Sequence, residues 1–103
     1  MPKSLSDSLK RIHYGKSLTE LSHQLPMSQR QLERQFKQWL DVTPKYYQRI
    51  WRVKNALEYL KTHTKIGLAE LAIDFGFSDQ AHMQREVKTF ANITPKAFIQ
   101  YYR

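Results

Sequence analysis

The sequence predicts an all-α fold in which two similar three-helix units share one long joining helix, about seven helices in all. Three observations lead there. Apolar residues recur every three or four positions, and no stretch sustains the period-2 alternation of a half-buried strand. Residues that favour helix starts stand ahead of each apolar run. The chain also repeats itself at a fixed offset. A length of 103 residues suits one compact domain or two small ones sharing a helix. Only 3 Gly and 4 Pro leave room for few turns.

Taken in order, Ser4 opens a first helix with Leu5, Leu9 and Ile12 on one face and Gly15 to stop it. Ser17 and Glu20 fit a capping box ahead of Leu18, Leu21 and Leu25. Ser28 and Gln31 fit a second box ahead of Leu32, Phe36, Trp39 and Leu40. Thr43-Pro44 pairs a cap residue with a Pro whose missing N–H costs nothing in the first turn. A long helix over 44–62 follows, with Tyr46, Ile50, Val53, Leu57 and Leu60 facing inward. A short helix then carries Leu68, Leu71, Ala72 and Phe75. Ser78 or Asp79 caps the next, on which Met83, Val87 and Phe90 face inward. Thr94-Pro95 begins the last, with Phe98 and Tyr101 or Tyr102.

The repeat ties these pieces together. Leu18, Glu20, Leu21 and Ser28 recur as Leu68, Glu70, Leu71 and Ser78, an offset of 50. After one inserted residue the offset becomes 51: Leu32 with Met83, Arg34 with Arg85, Lys37 with Lys88, Thr43-Pro44-Lys45 with Thr94-Pro95-Lys96, and Tyr47 with Phe98. The chain thus divides into a first unit over 4–43, the joining helix over 44–62 and a second unit over 63–103.

Composition narrows the partners. Seventeen Lys and Arg against nine Asp and Glu give a formal +8, which calls for an anionic partner, nucleic acid first. The joining helix is the most basic stretch, with Lys45, Arg49, Arg52, Lys54 and Lys61 against Glu58. Hydrophobic residues at 41% exclude a disordered basic tail, and no apolar run approaches the roughly 20 residues of a membrane span. Zero cysteines exclude disulfides and thiol catalysis. His13, His23, His63 and His82 lack metal-ligand spacing, and neither a phosphate-binding glycine loop nor a paired acid/base set is present, so no enzyme activity, metal or cofactor is expected.

The second unit reads as a helix-turn-helix. Ala72 is small where a crossing helix must come close, Gly76 sits where the turn needs positive φ, and Phe77 plugs the core. With Met83, Val87 and Phe90 inward, Gln80, Ala81, Gln84, Arg85 and Lys88 fall on the outer face. Gln and Arg are suited to read adenine and guanine edges in the major groove through paired hydrogen bonds. In the first unit Gln29, Arg30, Glu33, Arg34 and Lys37 face outward, and Glu33 either accepts from a cytosine amine or, as we favour, pairs with Arg30 or Lys37. Any one such residue is ordinarily just part of a solvated face; the same constellation occurring twice argues otherwise. A joining helix of about 18 residues spans roughly 27 Å, compatible with two reading helices about one DNA turn apart. Arg52 either meets a phosphate or pairs with an acid such as Asp74 or Glu70.

At this point the chain resembles the C-terminal DNA-binding domain of the AraC/XylS family of bacterial transcription regulators. The resemblance runs from about Ser17 to Tyr102. It is strongest over Ile66-Gly67-Leu68-Ala69-Glu70-Leu71-Ala72-Ile73-Asp74-Phe75-Gly76-Phe77-Ser78-Asp79-Gln80, continuing through Met83, Arg85, Lys88 and Thr94-Pro95 to Phe98. Arg52, Val53, Ala56 and Leu60 fit the family's joining helix. It implies two helix-turn-helix subdomains, a double-stranded operator, activation through RNA polymerase, and a place in the bacterial cytoplasm at the nucleoid. By position, base reading falls to Arg30, Glu33, Arg34, Gln80, Ala81, Gln84 and Arg85, with Gln29, Gln31 and His82 as further candidates. Phosphate contacts fall to Ser28, Lys37, Lys45, Arg49, Ser78, Lys88 and Lys96. It also implies a fragment of a longer regulator, whose small-molecule effector would act through a domain absent from this chain.

The chain departs from that pattern at Pro26, which cannot take the positive φ of Gly76, so the first turn must be built differently. Asp41 and Asn92 stand where the family usually has Gly, and Val87 where an aromatic is usual, to be offset by Phe90. The pairs Tyr46-Tyr47 and Tyr101-Tyr102 could stack on bases, but at helical spacing they read as core or core-edge residues. The alternative function is a helical protein-interaction module whose basic face meets an acidic protein or a lipid surface.

Overall fold

A computed structural model describes residues 1–13 and 27–102, and every regular element in it is helical. The elements are α1 (Lys3–His13), α2 (Gln29–Leu40), α3 (Pro44–Leu60), α4 (Leu68–Asp74), α5 (Gln80–Ala91) and α6 (Pro95–Tyr102). The expected helix around Leu18 to Leu25, its Ser17–Glu20 box, the Gly15 stop, His23 and the Pro26 turn lie outside the described residues. The chain forms two compact units, Met1–Arg49 and Ile50–Arg103, with α3 contributing to both.

In the first unit α1 packs against α2. Leu5, Ile12, Leu32 and Phe36 are buried, as the helical spacing requires. Ser8 is buried among them because its hydroxyl donates to the Ser4 carbonyl at 2.7 Å, so no polar group is stranded. The Ser4 hydroxyl in turn donates to Gln35 Oε1 at 3.1 Å, a polar tie between α1 and α2. At the start of α3 it is Tyr47 that packs edge-on against Phe36, with ring centroids 5.7 Å apart, and its hydroxyl lies 2.8 Å from His13 Nε2.

The second unit is built around Val53, Ala56, Leu60, Leu71, Ala72, Phe77, Met83 and Val87, with Phe90 and Phe98 among the partly buried residues packed against it. Val87 is nearly sealed from solvent and Phe90 supplies the aromatic bulk beside it. The turn after α4 is a Schellman motif. The Phe77 N–H donates to the Ala72 carbonyl at 2.9 Å and the Gly76 N–H to the Ile73 carbonyl at 3.2 Å, with Gly76 at φ +87°. Glycine is needed there because the backbone is left-handed; space is not the reason, since an added Cβ would meet Arg52 Nε at an ordinary 3.5 Å.

Several inward assignments need correcting. Trp39 is 48% exposed, Tyr46 42% and Tyr101 80%. All three lie in the first or last turn of a helix. Tyr47 takes the packing role in place of Tyr46, and Tyr102, though 40% exposed, lays its ring against Phe98 with centroids 4.8 Å apart. The joining helix stops at Leu60 rather than Thr62. Lys61 N–H still makes an α-helical bond to the Leu57 carbonyl, and Thr62 N–H closes a tighter turn on the Tyr59 carbonyl, both at 3.3 Å. His63 caps this end from outside, its Nδ1 3.0 Å from the Tyr59 carbonyl and its ring stacked on Tyr59.

The repeat is written in the backbone as well as in the side chains. Thr43 Oγ1 accepts from the Tyr46 N–H at 3.0 Å, and Thr94 Oγ1 from the Ala97 N–H at 3.1 Å. Asp41 and Asn92 both end their helices in the left-handed region, at φ 56° and 55°. Asn tolerates that region better than most residues, yet Gly does so without a Cβ clash. Asn92→Gly is therefore expected to stabilise the second unit by about 0.5 kcal/mol, read as a higher urea midpoint at unchanged slope. A loss of stability would mean that the Asn side chain is itself holding the turn.

Candidate nucleic-acid interface

Both candidate reading helices start from a built cap. At α2 the Ser28 hydroxyl accepts from the Gln31 N–H at 3.2 Å while Gln31 Oε1 accepts from the Ser28 N–H at 2.9 Å, a complete capping box. At α5 the cap is Asp79, not Ser78: Asp79 Oδ1 accepts from the His82 N–H at 2.7 Å. The partner of Ser28 is thus Asp79 at offset 51, and the extra residue lies before the cap rather than after it. Ser78 donates its own N–H to His82 Nδ1 at 3.1 Å. Asp79→Ala should cost about 0.5–2 kcal/mol in chemical denaturation, and Ser78→Ala much less.

From these caps the outer faces follow. On α2, Gln29, Arg30, Gln31, Glu33, Arg34 and Lys37 are all exposed. On α5, Ala81, Gln84, Arg85 and Lys88 are exposed, while Gln80 and His82 are half-buried. Glu33 does not pair with Arg30 or Lys37; its Oε1 accepts from Gln29 Nε2 at 3.4 Å. Lys37 is bound one turn on, to Asp41 at 2.7 Å, and its ammonium group holds the Asp41 carboxyl below the usual range, by hydrogen bond first and charge second. Such an exposed pair is weak and leaves Lys37 able to exchange Asp41 for a phosphate. On α5, Lys88 carries no comparable partner among the described residues.

Of the other phosphate candidates, Ser28, Lys45, Ser78 and Lys96 are exposed. Arg49 is half-buried, its guanidinium over the Tyr46 ring at 5.8 Å. Lys54 sits 4.5 Å from the centroid of Trp51, and Lys61 donates to Glu58 at 3.0 Å, a bond that raises the Lys61 pKa. Arg52 pairs with neither Asp74 nor Glu70. It lies against Gly76 and over the Phe77 ring at 5.7 Å, bracing the helix-turn-helix from the α3 side.

One residue of this region escaped the sequence reading. Glu86 is 7% exposed although it is charged. Its Oε1 lies 3.6 Å from His82 Nε2 one turn earlier, and no buried side-chain polar atom is left unsatisfied among the described residues. The i,i+4 spacing of His82 and Glu86 was the available signal.

A short helix, a Schellman turn closed by glycine, and a capped second helix with Gln and Arg on its outer face define a helix-turn-helix domain. A family model described as a helix-turn-helix domain matches residues 21–101, and the chain belongs to this family in its AraC-type form. Over 77 residues it is 31% identical to the HTH-type transcriptional regulator ArgR of Pseudomonas aeruginosa. That alignment covers 75% of this chain, and the chain spans only 23% of the length of that relative. A crystal structure of a transcriptional regulator from Chromobacterium violaceum, described among AraC-type DNA-binding domain-containing proteins, superposes with TM-score 0.87 at 25% identity. It covers 96% of this chain and 91% of its own. A probable AraC family transcriptional regulator from Rhodopseudomonas palustris shares the fold, with TM-score 0.84 at 18% identity over 99% of both chains.

Proposed function

We propose that this chain is a sequence-specific DNA-binding module of a transcription regulator, with α2 and α5 entering two successive major grooves of one operator. The observation that carries this reading is the repeated construction of the two helices. Each has a side-chain cap, an outer face bearing Gln and Arg, and a left-handed stop 51 residues from its counterpart. A solvated face needs no such duplication; two reading heads do.

Base reading is assigned to Arg30, Glu33, Arg34, Gln80, Ala81, Gln84 and Arg85. The domain divides into a first subdomain over 4–43, a joining segment over 44–62 whose helix ends at Leu60, and a second subdomain over 63–103. RNA polymerase is the expected second partner, at the nucleoid in the cytoplasm, and an effector would act through a domain outside this chain in a longer regulator.

Selection of bound sequences from a random duplex pool tests the reading. Two short motifs about one helical turn apart support it, and a single motif would overturn the two-groove arrangement. Duplex affinity that falls steeply with salt but selects no sequence would favour the basic interaction module instead. Within the proposed interface, Lys88→Ala should weaken selected and random duplexes alike and lower the salt slope by about one.

A further inference from the structure

The position three residues into each reading helix carries a side chain that turns back on the helix start. In α2 it is Gln31, whose Oε1 accepts from the Ser28 N–H. In α5, 51 residues on, it is His82. Its Nδ1 accepts from the Ser78 N–H at 3.1 Å while its own N–H is held by Asp79 at 2.7 Å. The ring is fixed on its other sides too. Phe77 packs edge-on at 5.5 Å, and Glu86 Oε1 faces Nε2 at 3.6 Å. A ring bonded at Nδ1, packed on Phe77 and flanked by Glu86 is badly placed to swing out toward a base.

The geometry points to His82 as a positioning residue that sets the start of α5 for base reading, through a bond that exists only while Nδ1 is unprotonated. Gln31 makes the related bond in α2, to the N-cap N–H itself rather than to the residue before it, through an amide that does not titrate. The inference rests on the DNA-binding reading proposed above. Its chemistry is simple: Nδ1 must offer a lone pair to the Ser78 N–H, so the proton of the neutral ring is on Nε2, toward Glu86. A second proton would turn Nδ1 into a donor facing a donor. Among the charged groups nearby, Glu86 faces the ring at Nε2, the N-cap Asp79 holds the His82 backbone N–H, and Arg52 of α3 lies over the Phe77 ring against which His82 packs. None of these groups can replace the lone pair that Ser78 would lose.

The two roles open to His82 respond to acid with opposite sign. A histidine that touches DNA gains charge as pH falls and binds more tightly. A histidine that holds the helix start loses its bond, and binding to the selected duplex weakens. The test uses the full chain and its pool-selected duplex, with affinity measured at pH 7.5 and pH 5.5 for the native protein, H82Q and H82A, and with random duplex as the reference.

We expect the native protein to lose roughly two- to tenfold in selected-over-random preference on acidification, the size of one lost cap bond. H82Q, which copies the first unit, should keep its preference at both pH values, and H82A should have the reduced preference at both. A preference that rises in acid, a native profile as flat as that of H82Q, or H82Q behaving as H82A would overturn the assignment. Nitrogen shifts of the His82 ring and exchange of the Ser78 amide report the bond without DNA. A chain that shows the Nε2–H tautomer yet selects no sequence would therefore sink the DNA reading and not the bond. A ring protonated on Nδ1 at pH 7.5 would sink the bond itself.

Discussion

Arg85→Ala is expected to weaken binding to the preferred duplex by about 1–3 kcal/mol and to relax preference at one base position. Arg85 is exposed on the outer face of α5, and its guanidinium makes no ion pair among the described residues. Only its backbone carbonyl is in use, accepting from the Thr89 hydroxyl at 2.8 Å. Removing the side chain should leave the fold's stability within about 0.5 kcal/mol, so that a change in binding reports recognition rather than unfolding. Competition between the selected duplex, single-base variants of it and random duplex decides the matter. An equal loss on all three would mean that Arg85 only meets phosphates.

The opposite experiment is Met83→Ala, two positions away and facing the other way. Met83 is fully buried among Leu71, Ala72, Phe77 and Val87. Cutting it back should cost about 2–5 kcal/mol, from lost burial and the cavity left behind. A unit of this size holds only a few kcal/mol in total, by the usual scale of roughly 0.1 kcal/mol per residue. The urea midpoint should fall steeply, and Met83→Leu, which conserves volume, should cost less than about 1.5 kcal/mol. If Met83→Ala were as mild as Gln84→Ala, the assignment of inner and outer faces of α5 would be wrong.

The second unit was largely legible in the sequence because its signals are local and mutually consistent. Gly76 announces the left-handed turn, and Leu71, Ala72, Met83 and Val87 fall on helical spacing on either side of it. Where two residues could do one job the sequence left the choice open. Ser78 and Asp79 are both good caps, and only the point at which α5 begins decides between them. Aromatic residues in terminal turns were over-assigned to the core. Periodicity says which way Trp39, Tyr46 and Tyr101 point, whereas their exposure depends on whether anything stands opposite.

Long-range partnerships were the least accessible. A cation such as Arg52 can serve a phosphate, an acid or an aromatic face, and its seat over Phe77 depends on residues far along the chain coming together. Exposure of Ala81, Gln84, Arg85 and Lys88 follows from the position of the core stripe alone, whereas Gln80, in the first turn, is half-buried. The same Gln or Arg can serve several partners, so a place on the outer face does not by itself name one.

Asp41 and Asn92 give the matched left-handed stops a meaning for how such a protein changes over generations. The stop and the caps fix where each reading helix begins and ends, while the outer positions between them already differ: Arg30 against Ala81, Glu33 against Gln84. Substitutions on those faces leave the punctuation untouched. If both helices read DNA as proposed, a descendant lineage can retarget one half of the binding site while the other half keeps the protein anchored, and so drift to new sites without passing through an ancestor that binds nothing.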